Sequence, residues 1–175
     1  VLIALSGMTS SDQLELAQQN MGNALSTFTA AANTSFSGEY LFAGINSDVT
    51  PLKDYLQETP PSDAKVAFDQ AFLAHFGFTQ TDPGVSTIAP ADMQAFIADL
   101  ETSFMGPDWQ TDWSNAADEN MQSRISAAET VQSSTNVNAS GMRYLALGLV
   151  VGQELLSIGL SEASRKVVSD SAIDY

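Results

Sequence analysis

Asn33-Thr34-Ser35-Phe36-Ser37-Gly38-Glu39-Tyr40-Leu41-Phe42-Ala43-Gly44 stands where a helical sequence gives way to a turn-rich one. After Gly38, the run Tyr40-Leu41-Phe42-Ala43 suits a short strand, because aromatic side chains pack well on a pleated surface. Gly44, Asn46, Ser47 and Asp48 then supply turn chemistry.

Upstream, Leu14, Ala17, Met21, Ala24, Phe28 and Ala31 recur at steps of three and four and place one apolar stripe along a helix over 14–31. Asp12, with Glu15 three residues on, is a start signal for it. Val1, Leu2, Leu5 and Met8 read as the tail of an earlier helix, with Gly7 and residues 9–11 as the turn. At the other end Met142, Leu145, Leu149, Gly152, Leu156, Leu160, Ala163 and Val167 predict a second long helix with a coiled-coil-like seam. Gly152 in that seam either lets another helix approach closely or simply weakens its own. The two stripes are expected to pack on each other through Leu14, Met21 and Phe28 on one side and Leu145, Leu149 and Leu156 on the other.

The middle differs in composition. Five of the six prolines lie between Pro51 and Pro90. Two short helices are expected there, over 62–76 and 90–104, with Pro90 in the first turn of the second. Asp108-Trp109-Gln110-Thr111-Asp112-Trp113 follows as an aromatic loop or turn, and the Ser/Thr-rich stretch 121–135 reads as short strands or a hairpin. The chain is therefore expected to be mainly α with some β (α+β). Residues 1–50 and 121–175 would form a helical body, and 51–120 an inserted module with its own core of Phe68, Phe72, Phe76, Phe96 and Leu100. The points where the chain leaves and re-enters the body should lie close together.

The 175 residues include 21 Asp and Glu against six Lys and Arg, a formal net charge of -15. Nucleic-acid binding needs a basic footprint, which this composition lacks. An anionic membrane surface would repel the chain, and no apolar run reaches the ~18 residues of a membrane span. The acidity reads either as a solvated surface that maintains solubility or as a brake on premature self-association. The absence of cysteine excludes disulfides and thiolate chemistry. His75, the only histidine, sits in an apolar run with no carboxylate within a helical turn, which favours a structural role over general-base or metal use. Nucleotide-loop, nucleophile-elbow and zinc-helix motifs are all missing. No catalytic, cofactor or metal residue is assigned. A competing reading has Trp109 and Trp113 stacking on a sugar, or Asp108 and Asp112 holding calcium, although the calcium-loop pattern is missing.

The opening stretch closely resembles a hallmark of the bacterial flagellin superfamily. There a long helix ends in an Ala-Asn-Thr-like segment, followed by Gly-x-Tyr-x-Phe-Ala-Gly and a hairpin. Asn33, Thr34, Gly38, Tyr40, Leu41, Phe42, Ala43 and Gly44 carry the resemblance. The continuation Ile45-Asn46-Ser47-Asp48-Val49-Thr50-Pro51 is similar to the family. So are Arg124-Ile125-Ser126, Glu129-Thr130-Val131 and the segment from Met142-Arg143-Tyr144-Leu145-Ala146 to Gly159-Leu160-Ser161. Its hook-associated members are the nearer match, and its filament-forming members the alternative. The likeness covers 1–50 and 121–175, while 51–120 corresponds to the family's variable outer domain.

The resemblance implies long antiparallel helices in a rod-like domain with short hairpins, and a structural, self-assembling function in the extracellular flagellum. It also implies export without a cleaved signal, partners among the other flagellar axial proteins and full-length copies of itself, and no enzymatic activity. The heptad-rich terminal segments that polymerise complete members are not in this sequence, which implies a central piece that remains monomeric.

Overall fold

The computed structural model describes residues 11–126 and 128–175. The helix tail expected at Val1, Leu2, Leu5 and Met8 lies outside them. Among the described residues the protein is mainly helical, with two small antiparallel hairpins. Helix α1 (Ser11–Ala32) leads into a hairpin of β1 (Ser35–Phe36) and β2 (Glu39–Tyr40). Helices α2 (Asp63–Phe76) and α3 (Pro90–Met105) follow, then one π-helical turn (Trp109–Trp113). A second hairpin, β3 (Gln122–Arg124) with β4 (Thr130–Gln132), precedes α4 (Ser140–Leu155) and α5 (Glu162–Asp174).

Local chemistry explains most of these boundaries. Ser62 caps α2, accepting a hydrogen bond from the Lys65 N–H. Gly77, left-handed at φ 79°, ends that helix, and its N–H donates to Leu73 O. Pro90 opens α3, where its missing N–H costs nothing. In the first hairpin the strands pair Ser35 with Tyr40 and Phe36 with Glu39, so they lie ahead of the expected 40–43 run. Ser37 and Gly38, both at positive φ, make the turn.

The terminal helices do pack together. As α1 advances from Gln18 to Met21, its partners recede from Ser157, just past the end of α4, and Gln153 to Gly152, so the pair is antiparallel. Gly152 has the close-approach role: a Cβ there would lie 2.9 Å from Met21 Cγ. The buried face of α1 is Leu14, Ala17, Met21, Leu25, Phe28 and Ala32, so Leu25 and Ala32 replace the expected Ala24 and Ala31.

Two expectations for the far end are corrected. The predicted single helix is broken after Leu155, where a turn through Gly159 at φ 80° redirects the chain and Ser161 caps α5. The face is also rotated. Leu156 is buried, but Leu145 is 46% exposed and Leu149 only half-buried, while Ala146, Leu147, Val150, Val151 and Leu155 point inward. Almost every residue from 144 to 151 is apolar, so two adjacent faces compete on hydrophobicity, and packing against α1, α3 and α5 selects one.

The inserted segment does not carry a separate core. Phe68, Phe72, Phe96, Ile97 and Trp109 belong to the same buried cluster as Leu25, Phe28, Leu147, Val150 and Val168. Helix α3 lies along α5, with Ser164 Oγ donating to Ile88 O at 2.6 Å and Tyr175 OH to Glu101 Oε2 at 2.9 Å. The exit and re-entry points are adjacent, as expected: Leu52 bridges Ser114, and the Lys53 N–H donates to Trp113 O.

Candidate assembly surface

The Asn33–Gly44 stretch is a junction where several segments are locked. Past the end of α1, the Asn33 side chain forms two hydrogen bonds with Leu52. Its Nδ2 donates to Leu52 O, and its Oδ1 accepts from the Leu52 N–H, both at 2.8 Å. Thr34 O accepts from the Leu41 N–H, and the Tyr40 N–H donates to Ser47 O. The Tyr40 hydroxyl accepts from Thr50 Oγ1. Phe42 O takes the Val137 N–H, and Ala43 is fully buried, bridging Asn136 and accepting from the Ala117 N–H. Gly44 has φ 64°, and a Cβ there would fall 2.5 Å from the carbonyl oxygens of Ala117 and Glu119.

Beneath this junction lies a buried polar network that periodicity does not single out. Asn138 Oδ1 accepts from Trp109 Nε1 at 2.9 Å and Ser114 Oγ at 2.6 Å, while its Nδ2 donates to Ala116 O and Asp118 Oδ1. Asn136 reaches Asp118 O and Asn120 Oδ1 and receives the Asn138 N–H. Arg143 joins it, its Nε donating to Asn138 O and its Nη1 to the carbonyls of Met105, the last residue of α3, and of Gly106 just after it. A cation is favourable there because those carbonyls end a helix. Such a network is stable in the interior only because its members satisfy one another. The sole hint in the sequence is the Asn-rich stretch 136–138.

The hairpin end also exposes apolar side chains. Phe36 is 75% exposed, Ile125 60%, Ile45 52% and Leu41 45%. Phe36 lies in β1, Leu41 and Ile45 follow β2 and Ile125 follows β3, and the roots of the two hairpins are tied by the Ile45 N–H to Glu119 O and the Ala43–Asn136 bridge. Exposed apolar groups mark contact surfaces where they adjoin one another, and this end is the candidate for one. The strands beside them are short and leave unpaired edges.

The competing sugar reading fails on burial. Tyr55, Trp113 and Trp109 form a ring stack, with centroids 4.9 and 5.5 Å apart, and the Arg143 guanidinium lies over Trp109. Trp109 is wholly buried and Trp113 nearly so, leaving neither indole face for a sugar. Asp108 accepts from Ser103 Oγ, and among the described residues no three His, Asp or Glu side chains converge on a metal position. His75, which has no acidic neighbour along its own helix, meets Asp99 of α3 at 3.2 Å. That carboxylate comes from a different helix, beyond the reach of spacing arguments.

Tyr55, only 1% exposed, donates to Glu154 Oε1, and Lys65 pairs with Glu154 Oε2 at 3.3 Å. Burial holds the Glu154 carboxyl above its ordinary range, and the Lys65 ammonium offsets only part of that. Burial, then the adjacent Glu154 charge, push the Tyr55 phenol well up. Among the described residues no helix is long and apolar enough to cross a membrane.

No protein-family model matches this chain, and neither a curated protein nor a solved structure is detectably similar to it.

Proposed function

We propose that this chain is part of a structural, self-assembling axial protein of the bacterial flagellum in the flagellin superfamily, and specifically of the junction protein that joins hook to filament. The observation that carries the reading is the Asn33–Gly44 motif. Its side chains and carbonyls tie α1, the first hairpin and residues 117–120 and 136–138 into one junction, and Gly44 sits where only glycine fits. The exposed apolar residues on both hairpins support a surface that contacts neighbouring subunits. The long antiparallel pair of α1 and α4 is consistent with a rod-like body in the assembled protein. On this reading the protein acts outside the cell, is exported without a cleaved signal and catalyses no reaction. Its partners are the hook-associated and filament subunits beside it and further copies of itself.

Antibodies raised against the chain and applied as gold label to isolated flagella test this. Label confined to the boundary between hook and filament is the expected result. Label along the whole filament would transfer the reading to filament flagellin, which shares the motif. Flagella that take no label anywhere would overturn the flagellar reading.

A further inference from the structure

Helices α2 and α3 do not close on each other along their whole length. The side of α2 that faces α3 offers alanine at 64, 67, 71 and 74. Two helices with small residues in contact would ordinarily approach to about 8 Å. Here Phe96 of α3 stands between them, in edge contact with Phe68 and Phe72 at centroid distances of 5.9 and 5.4 Å. The result is a groove of about 330 Å³, closed at one end by the π-helical turn. That volume lies near the lower end of the ~300–1,000 Å³ range of small-molecule sites.

The floor and the mouth of this groove differ in character. The floor is aromatic and aliphatic, built from the alanine ridge, Phe68, Phe96, Leu100 and Phe104. The mouth holds three carboxylates, Asp99, Asp108 and Asp112. Asp99 has His75 and Asp108 has Ser103, but no hydrogen bond reaches half-buried Asp112 from the described residues. The nearest ammonium, Lys53 Nζ, is turned to Thr111 O and Asp63. Burial and the neighbouring Asp108 charge hold the Asp112 carboxyl above its ordinary range, and the Lys53 ammonium offsets only part of that. A guest cation at the mouth would relieve that repulsion and supply the missing donors.

We infer that the groove binds a small organic cation, its ammonium head between Asp108 and Asp112 and its apolar body against Phe68, Phe96 and the alanine ridge. This inference is independent of the flagellar reading, since it rests on the α2–α3 groove and not on the hairpin end.

Trp109 and Trp113 border the groove and are the only tryptophans in the chain, so their emission reports occupancy. The experiment titrates the 175-residue chain with phenethylammonium and, in parallel, with uncharged 2-phenylethanol. A saturable emission change is expected, with the amine binding at least about tenfold tighter, as charge-assisted hydrogen bonds require. Asp112→Asn should weaken the amine about tenfold and leave the alcohol unchanged. Ala71→Leu, which fills the groove, should abolish binding of both, with circular dichroism checking the fold. Equal affinity for the two probes, no saturable response to the amine, or amine binding unchanged in Asp112→Asn would each overturn the proposal. The last of these stands even if Ala71→Leu fails to fold.

Discussion

A methyl group on residue 44 would lie 2.5 Å from two carbonyl oxygens, in a residue already at φ 64°. Left-handed backbone and a forced local shift each cost on the order of 1–3 kcal/mol. Gly44→Ala should therefore lower stability by about 2–4 kcal/mol, measured by urea denaturation, and a variant within about 0.5 kcal/mol of the parent would mean that the junction yields easily. Glu154 gives a pH test. Its folded-state pKa is raised above the ordinary 4.5, so the folded chain holds the proton more tightly than the unfolded chain. Its contribution to stability is greatest below that ordinary value and declines as pH rises through the folded-state value. Glu154→Gln removes this titration. The melting temperature of the variant relative to the parent should rise between about pH 4 and pH 7, and a constant difference would argue against the raised carboxyl.

At the scale of elements, the orientation of α4 decides which leucines matter. Leu147 is fully buried and Leu145 is 46% exposed, although they are two residues apart in an almost unbroken apolar run. Leu147→Ala should cost about 2–5 kcal/mol through lost burial and the cavity left behind. Leu145→Ala should fall within about 0.5 kcal/mol of the parent. The reverse order in a denaturation series would restore the seam that periodicity alone suggests. Leu149, half-buried beside the core, should be intermediate. The break after Leu155 belongs to the same scale, because α5 can lie along α3 only if the chain turns at residues 156–161.

For the whole molecule, the question is whether residues 51–120 can be removed. A short Gly/Ser linker between Leu52 and Ser114 would close easily, since those residues are already bridged and closure entropy grows only logarithmically with length. The core would not survive the change. Removing α2, α3 and the π-helical turn uncovers the sides of α4 and α5 that they pack against, Val150 among them, and takes their own buried side chains out of the shared core. Each such side chain returns about 1.5–3 kcal/mol of burial to water, against a typical net stability of about 5–15 kcal/mol. The deleted chain should lose cooperative melting by circular dichroism. A cooperative helical remainder would mean that the body folds without the insertion.

Some features were legible locally because their cause is local. The Ser62 cap, Pro90 in a first turn, the turn residues around Gly44–Asp48 and the three- and four-residue steps of α1 each act within a few residues of chain, where sequence is sufficient. These settle a mainly helical chain, the position of α1, α2 and α3, and a hairpin within 121–135. Which face of α4 turns inward is a different kind of question, since the run 144–151 is apolar nearly all round and only the helices packed against it, α1, α3 and α5, distinguish Leu147 from Leu145. The bonds of Asn138 with Ser114 and Trp109, the His75–Asp99 pair and the stack of Tyr55 on Trp113 join residues 24, 29, 24 and 58 positions apart. The shared core of residues 51–120 with α4 and α5 is of the same kind. Their energies arise from removing groups from water against partners distant in sequence, so periodicity carries no record of them and only the tertiary structure decides them.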